Sequence, residues 1–267
     1  MVRKPCVAGR FYPQEAAALR ENVSQLLANG GTKEKAVAVM APHAGYVYSG
    51  AVAGAVYATV SVPDAVILIG PNHTGLGENA AVMPDGVWRT PLGGAPVNEE
   101  LAGLCLDSSP LFKGDCSAHL MEHSLEVQLP FIQLLNGSAS IVPITVMTAD
   151  AGDCEEMGAA IASAITAYGK DALIVISSDM NHYEPDKVTR AKDKLAIARV
   201  LALDAAGLLL VAGKKDITMC GIIPAAIAIF ASKRLGAREA HLVRYATSGE
   251  AFGDFSQVVG YAGVMIK

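Results

Sequence analysis

Three of the six histidines occupy the same kind of place, directly after an apolar run and among residues that allow sharp turns. His43 lies in "APHAGYVYSG" after "AVAVM", His73 in "GPNHTG" after "AVILI", and His182 in "SSDMNHY" after "ALIVI". The Gly, Pro, Ser and Asn around them permit tight turns and close backbone approach. In open α/β sheets, loops at the carboxyl ends of strands converge on a crevice where ligands bind. A single loop histidine usually satisfies a carbonyl or caps a helix. Three of them after three buried strands point instead to one shared site, suited to metal ligation or proton transfer.

Cys220, in "DITMCGIIPAAIAIF", sits at or just before a helix start. A thiol at a helix N-terminus has a lowered pKa, so the expectation is a thiolate serving as nucleophile or soft metal ligand. The plainer alternative is a buried small hydrophobe. Asp179 precedes His182 by three residues, fitting a carboxylate that fixes an imidazole's tautomer or an N-cap of the next turn. A helix is expected from Glu122 to Leu135, and in "HLMEHSLEVQLPF" helical spacing would put Glu122 and Glu126 on one face and His119 and His123 on the adjoining one. HxxxH is also a zinc-ligand spacing, but Leu120 stands where a zincin needs glutamate, so His123 reads as a polar group pointed into the same cleft. His241 begins a strand and has no expected role. A metal-free alternative makes Cys220 a nucleophile served by His182 and Asp179, as in cysteine hydrolases. Another is a non-catalytic metal- or partner-binding module.

The elements that must position these residues alternate between strand and helix. A helix is expected from Gln14 to Ala28, after Pro13 and stopped at Gly30-Gly31, and another to about Ala58 with Ser49 as its cap. Continuous apolar runs such as Ala65 to Gly70 read as strands covered on both faces. Pro84-Asp85-Gly86 suggests a hairpin. Further helices are expected over Asn98 to Cys105, Ala151 to Tyr168, Pro185 to Ala212 (two stretches) and Met219 to Leu235. "SIVPITVM" and the two C-terminal runs read as strands. The fold class is α/β: a single domain over residues 1–267, with helix–sheet–helix layers around a central mixed sheet.

Composition agrees. Of 267 residues, 52 % are hydrophobic and 18 % charged, with net charge −5, which suits an enzyme-like globule and leaves no basic footprint for nucleic acid. Five scattered cysteines (Cys6, Cys105, Cys116, Cys154 and Cys220) form no CxxC pair, which fits a reducing cytoplasm. No signal peptide or membrane span is expected.

The strings "CVAGRFYP", "APHAGYVYSG", "ILIGPNHTG", "EHSLEVQLPF", "ISSDMNHY" and "TMCG" occur in this order. In that order and spacing the chain resembles the Memo family, the mediator of cell motility proteins and their archaeal and bacterial relatives. The resemblance implies a fold like that of class III extradiol dioxygenases. It also implies a mononuclear metal site from His43, His73 and Cys220, lined by Asp179, His182 and His123. Those dioxygenases hold iron with two histidines and a carboxylate; here "TMCG" places cysteine where they have glutamate. A thiolate shifts preference toward copper(I), zinc or a different iron chemistry. The expected cofactor is thus iron or copper, with zinc an alternative, and the expected activity a redox reaction on a small molecule with His182 as acid–base group. Prokaryotic members are called AmmeMemoRadiSam system protein B, which implies AMMECR-type and radical-SAM partners.

Overall fold

The structure, a computed structural model, describes residues 1–28 and 31–267. β1 (Val2–Arg3) is followed by α1 (Ala16–Leu27), β2 (Ala38–Ala41), α2 (Tyr46–Thr59) and β3 (Ala65–Pro71). Next come β4 (Ala80–Val82), β5 (Val87–Thr90), β6 (Gly93–Pro96), α3 (Glu99–Ser108) and β7 (Lys113–Gly114). α4 (Leu129–Leu135), β8 (Ser140–Val146), α5 (Ala151–Tyr168) and β9 (Ala172–Ser177) complete the middle of the chain. β10 (His182–Glu184), α6 (Asp186–Leu201), α7 (Ala205–Lys215) and α8 (Ile222–Arg234) follow. The chain closes with β11 (Ala240–Thr247), α9 (Gly249–Phe252) and β12 (Val258–Ile266).

The expected alternation builds one mixed sheet. Its strands run β10-β12-β2-β9-β3-β8-β4-β7, with β11 also paired to β12. β2, β9, β3 and β8 are mutually parallel, and antiparallel partners flank them: β12 beside β2 and β4 beside β8. The parallel strands are the apolar runs, and all seven residues of β3 are buried, as strands covered on both faces must be. The covering layers are visible at β12. A Cβ added at Gly263 would meet Val56 of α2, and one at Gly260 would meet Asp193 of α6. Positions three apart on a strand face opposite ways, so α2 and α6 lie on opposite faces. α1 and α4 join α2; α7, α8, α5 and α3 pack in sequence from α6.

Strand order and chain order differ at one telling place. The chain leaves β2 through α2 to β3, yet β9, reached from β8 through α5, inserts between β2 and β3. Three adjacent carboxyl ends therefore come from connections that pass over different layers, which is the condition for an open crevice above them.

Some expectations are corrected. α1 ends at Leu27; the Gly30 of its expected stop lies outside the described residues. α2 starts at Tyr46, not at Ser49, because Tyr46 N donates to Phe11 O at 2.8 Å while Ser49 Oγ donates back to Ala44 O within the first turn. Pro84-Asp85-Gly86 is not a hairpin turn but the passage from β4 into a small second sheet, β1-β5-β6, where the hairpin is β5–β6. The helix expected from Glu122 is α4, which begins only at Leu129 after a single 3₁₀ turn over Glu126–Gln128. Arg3 holds the segment before it: its Nε and Nη2 donate to the carbonyls of His119 (3.0 Å) and Glu122 (2.7 Å), and the latter is the acceptor that a helix starting at Glu122 would offer its first i+4 amide.

Packing of α2 on β12 gives a measurable expectation. A Gly263→Ala methyl would lie 2.3 Å from Val56 Cγ2, and overpacking of this kind costs about 1–3 kcal/mol. Gly103→Ala in α3 meets nothing within 4 Å and should gain up to about 1 kcal/mol. Thermal melts should therefore move in opposite directions for the two variants.

Candidate metal centre

The loop after β2 carries His43, which is 2 % exposed. Asp179, two residues beyond β9, fixes this loop: its Oδ1 accepts from His43 N at 2.8 Å and Ala44 N at 3.3 Å. His43 Nδ1 lies 2.9 Å from Ser177 Oγ. The Ser177 hydroxyl donates its one proton to Ser124 O at 2.6 Å and accepts from Gln128 Nε2 at 2.9 Å. Gln128 Nε2 also donates to the carbonyl of Pro42, which fixes the amide's orientation. Ser177 can thus only accept from His43, so the proton sits on Nδ1 and the Nε2 lone pair faces the cavity. Burial pushes His43 well below the ordinary imidazole range, and His123, His73 and His182 push the same way. It is a neutral donor.

His73 and His123 depend on Glu122, a carboxylate with no exposed surface. Glu122 Oε2 accepts from His73 N at 2.5 Å, and Oε1 accepts from His73 Nδ1 at 2.9 Å and Ser124 N at 2.8 Å. His123 Nδ1 stands 3.5 Å from the same Oε1. Burial alone would raise the Glu122 carboxyl, but the His73 ring and the Ser124 amide outweigh it and bring it down to about 2. A carboxylate behind a histidine is the usual outer partner of a metal ligand, holding the ring and raising its basicity. The ring centroids of His43, His73 and His123 lie 4.8–5.5 Å apart. One ligand atom from each falls within 4.8 Å of the others, so an ion with bonds of about 2.0–2.1 Å can gather them by small side-chain rotations.

Cys220 joins this group: Sγ is 3.2 Å from His43 Nε2 and 3.3 Å from Asp179 N. It immediately precedes α8, which can approach β9 because residue 221 is glycine; a Cβ there would meet Ser178 and Ser177 O at 2.5–2.6 Å. The expected low thiol pKa is corrected. Burial, with the Asp179 charge adding to it, pushes the thiol up despite the helix start, so without a cation Cys220 is protonated. His182 sits in β10, with Nδ1 2.9 Å from the carbonyl of Thr218. A carbonyl only accepts, so Nε2 carries the free lone pair. Asp179 bonds to backbone amides rather than to any imidazole, so the expected tautomer-fixing role falls to Ser177, Glu122 and Thr218, none of which the sequence singled out for it. Cys220 contacts His43, not His182. His119 is buried against Trp88, away from His123, because the expected shared helix face does not exist. His241 pairs with Glu239 at the surface. Cys105 and Cys154 are buried in the core.

These groups open into a cavity of about 1080 Å³ whose outer wall is aromatic: Phe11, Tyr48, Tyr183, Phe252 and Tyr261, with Arg10 beside them. Single loop aromatics give no periodic signal, so sequence reasoning missed this wall. The volume exceeds the 300–1,000 Å³ of ordinary small-molecule clefts only slightly.

A family model described as Memo-like protein matches residues 3–265. A MEMO1 family protein of Pyrobaculum arsenaticum is 44 % identical, the match covering 99 % of this chain and 98 % of that one. MEMO1 family proteins of Ignicoccus hospitalis and Aquifex aeolicus are 43 % and 42 % identical, each over 99 % of this chain and 98 % of theirs.

Burial raises the Asp179 carboxyl to about 7, its bonds to His43 N and Ala44 N only partly offsetting this. A raised folded-state value means stability that is full below the unfolded value, about 3.9, and is lost as pH rises through about 7. Asp179→Asn keeps an acceptor for both amides and does not titrate. Metal-free Asn variant should therefore show a flatter melting temperature between pH 4 and 8 and gain most on wild type at the alkaline end.

Proposed function

The chain belongs to the Memo-like family, and from that footing we propose that its cavity is a small-molecule site built on a single metal ion. His43, His73 and His123 would hold the ion, with the Cys220 thiolate as a further donor beside His43. The observation that carries this reading is the convergence of three imidazoles, with Glu122 and Ser177 holding Nδ1 protons on His73 and His43. Imidazoles with a soft thiolate suit iron, copper or zinc. A bound iron or copper ion would supply redox or Lewis-acid chemistry, and zinc the latter alone.

The chain's own residues bind and move protons around that point. His182 stands in the same cavity with Nδ1 committed to Thr218 and Nε2 open, the arrangement of a base that takes a proton from a bound ligand. Asp179, near pH 7 in its titration, can hold a proton at the cavity wall. The aromatic rings lining the cavity offer an apolar surface to one face of a bound molecule. A redox reaction on a small molecule, in a class III extradiol dioxygenase-like fold with cysteine in the glutamate position, is the activity this supports best. From the family resemblance we also take a cytoplasmic setting and association with AMMECR-type and radical-SAM proteins, which affinity copurification under native expression tests. Among the described residues no helix is long and apolar enough to cross a membrane.

A second reading rests on the 3.2 Å Cys220–His43 contact: a metal-free thiol nucleophile served by His43. The upward push on the thiol weighs against it.

Untagged, anaerobically purified protein should carry one equivalent of iron or copper by elemental analysis. His73→Ala and His123→Ala should both abolish it with the fold intact by circular dichroism. Cys220→Ser should lower copper(I) affinity by more than tenfold while leaving cobalt(II) binding measurable. Retention of metal by His73→Ala would overturn the site, and rapid alkylation of Cys220 in metal-free wild type would favour the nucleophile.

A further inference from the structure

Arg3 and Glu126 form an ion pair with neither side chain exposed, and neither lines the cavity. A buried pair of this kind is seldom retained for stability alone, since desolvation offsets most of its attraction. Its geometry shows what else it does. Besides Glu126, the Arg3 guanidinium reaches two backbone carbonyls of the irregular segment before α4: Nε to His119 O at 3.0 Å and Nη2 to Glu122 O at 2.7 Å. It also lies 4.2 Å over the Trp88 ring. Glu126 in turn gathers the segment after β1, accepting from Cys6 N (2.8 Å), Val7 N (3.1 Å) and Tyr12 OH (2.5 Å). That segment carries Phe11, whose ring packs edge-on against His123 at 5.0 Å.

We propose that Arg3 is a positioning residue for the metal centre, fixing the backbone of residues 119–122 so that Glu122 and His123 meet His73. The inference rests on the metal-site reading for its affinity arm only. The chain of contact is short. Arg3 holds the Glu122 carbonyl, the Glu122 carboxylate holds His73 N and Nδ1, and His123 is the next residue along the same backbone. Between Leu120 and Leu125 this backbone lies in no regular helix or strand, so the geometry comes from tertiary bonds. A guanidinium suits this position because its three nitrogens, fixed in one plane, reach the two carbonyls and the carboxylate from separate donors, whereas an ammonium donates from a single point. Lysine conserves the charge but not the fork.

The test compares full-length wild type, Arg3→Lys, and Arg3→Met combined with Glu126→Gln, which removes both buried charges together. Gly263→Ala, destabilising but remote from this segment, is the control for lost stability. Two readouts are taken at a temperature where circular dichroism shows all four folded: cobalt(II) affinity, and the imidazole ¹⁵N shifts of metal-free protein, which report the His73 tautomer. Positioning by Arg3 predicts a 10–100-fold loss of cobalt affinity in the double variant, a smaller loss in Arg3→Lys, and averaging of the His73 tautomers in both. Gly263→Ala should keep wild-type affinity and shifts despite its lower melting point. Wild-type affinity and shifts in both Arg3 variants, with only the melting point lowered, would overturn the proposal. Should wild type bind no cobalt, the metal reading fails, and the His73 shifts alone decide the role of Arg3. Should the double variant not fold, Arg3→Lys, which keeps the charge pair, decides it.

Discussion

A carboxylate with no exposed surface has to be answered by donors on every side, and the Glu122 carboxylate organises the site through that requirement. Two backbone amides, one imidazole N–H and a second imidazole close by surround it. In a low-dielectric interior a charge-assisted bond of this kind is about twice as strong as a neutral one, and leaving the carboxylate unanswered costs several kcal/mol. Glu122 thereby draws the loop after β3 and the segment before α4 to one point. The negative charge behind His73 also prepares that ring to share its other nitrogen with a cation. Structure and chemistry are served by the same bond.

The other half of the site is held by sheet pairing and by Asp179, whose carboxyl accepts from His43 N and Ala44 N. His43 and Cys220 stand above the ends of β2 and β9, whose pairing puts Ala41 beside Ser177. Sheet register places the His43 loop beside Ser177, Cys220 comes in from the start of α8, and the Gln128–Ser177–Ser124 hydrogen bonds tie this half to the other through Ser124, two residues from Glu122. The loops after β2 and β3 thus supply His43 and His73, the start of α8 supplies Cys220, and the pinned irregular segment supplies His123. An ion bridging them would couple all three.

Much of this was legible in the sequence, for reasons that differ by residue. His43 and His73 could be placed because continuous apolar runs announce covered parallel strands, and loops after such strands share an edge. Cys220 could be placed because the run from Ile222 is long enough to be a helix. What could not be read was anything decided by distant partners. Periodicity made Glu122 to Leu135 look helical, yet Arg3, far away in sequence, takes the Glu122 carbonyl that the first turn would use. With the helix went the expected shared faces, and with them the roles of His119 and Glu126. The Cys220 thiol followed the helix-start rule in position but not in titration, because burial outweighs one helix end once the sulfur is enclosed.

The tautomers carry the argument one step further. His43, His73 and His182 each give an Nδ1 proton to a different acceptor: a hydroxyl already committed, a carboxylate, and a carbonyl. Three acceptors of unlike chemistry produce the same outcome, a proton held on Nδ1 with Nε2 left for another partner. A site meant to hold an anion through charged imidazolium would need the opposite, carboxylates near every ring and open water to support the charge. Here only Glu122 carries a firm negative charge among the groups bonded to these rings, and burial presses His43, His123 and His182 toward the neutral form. Cys220 is then the group whose proton must leave before it can donate to a cation. Neutral imidazoles at His43, His123 and His182 offer electron pairs to the cavity, which suits a cation better than an anion.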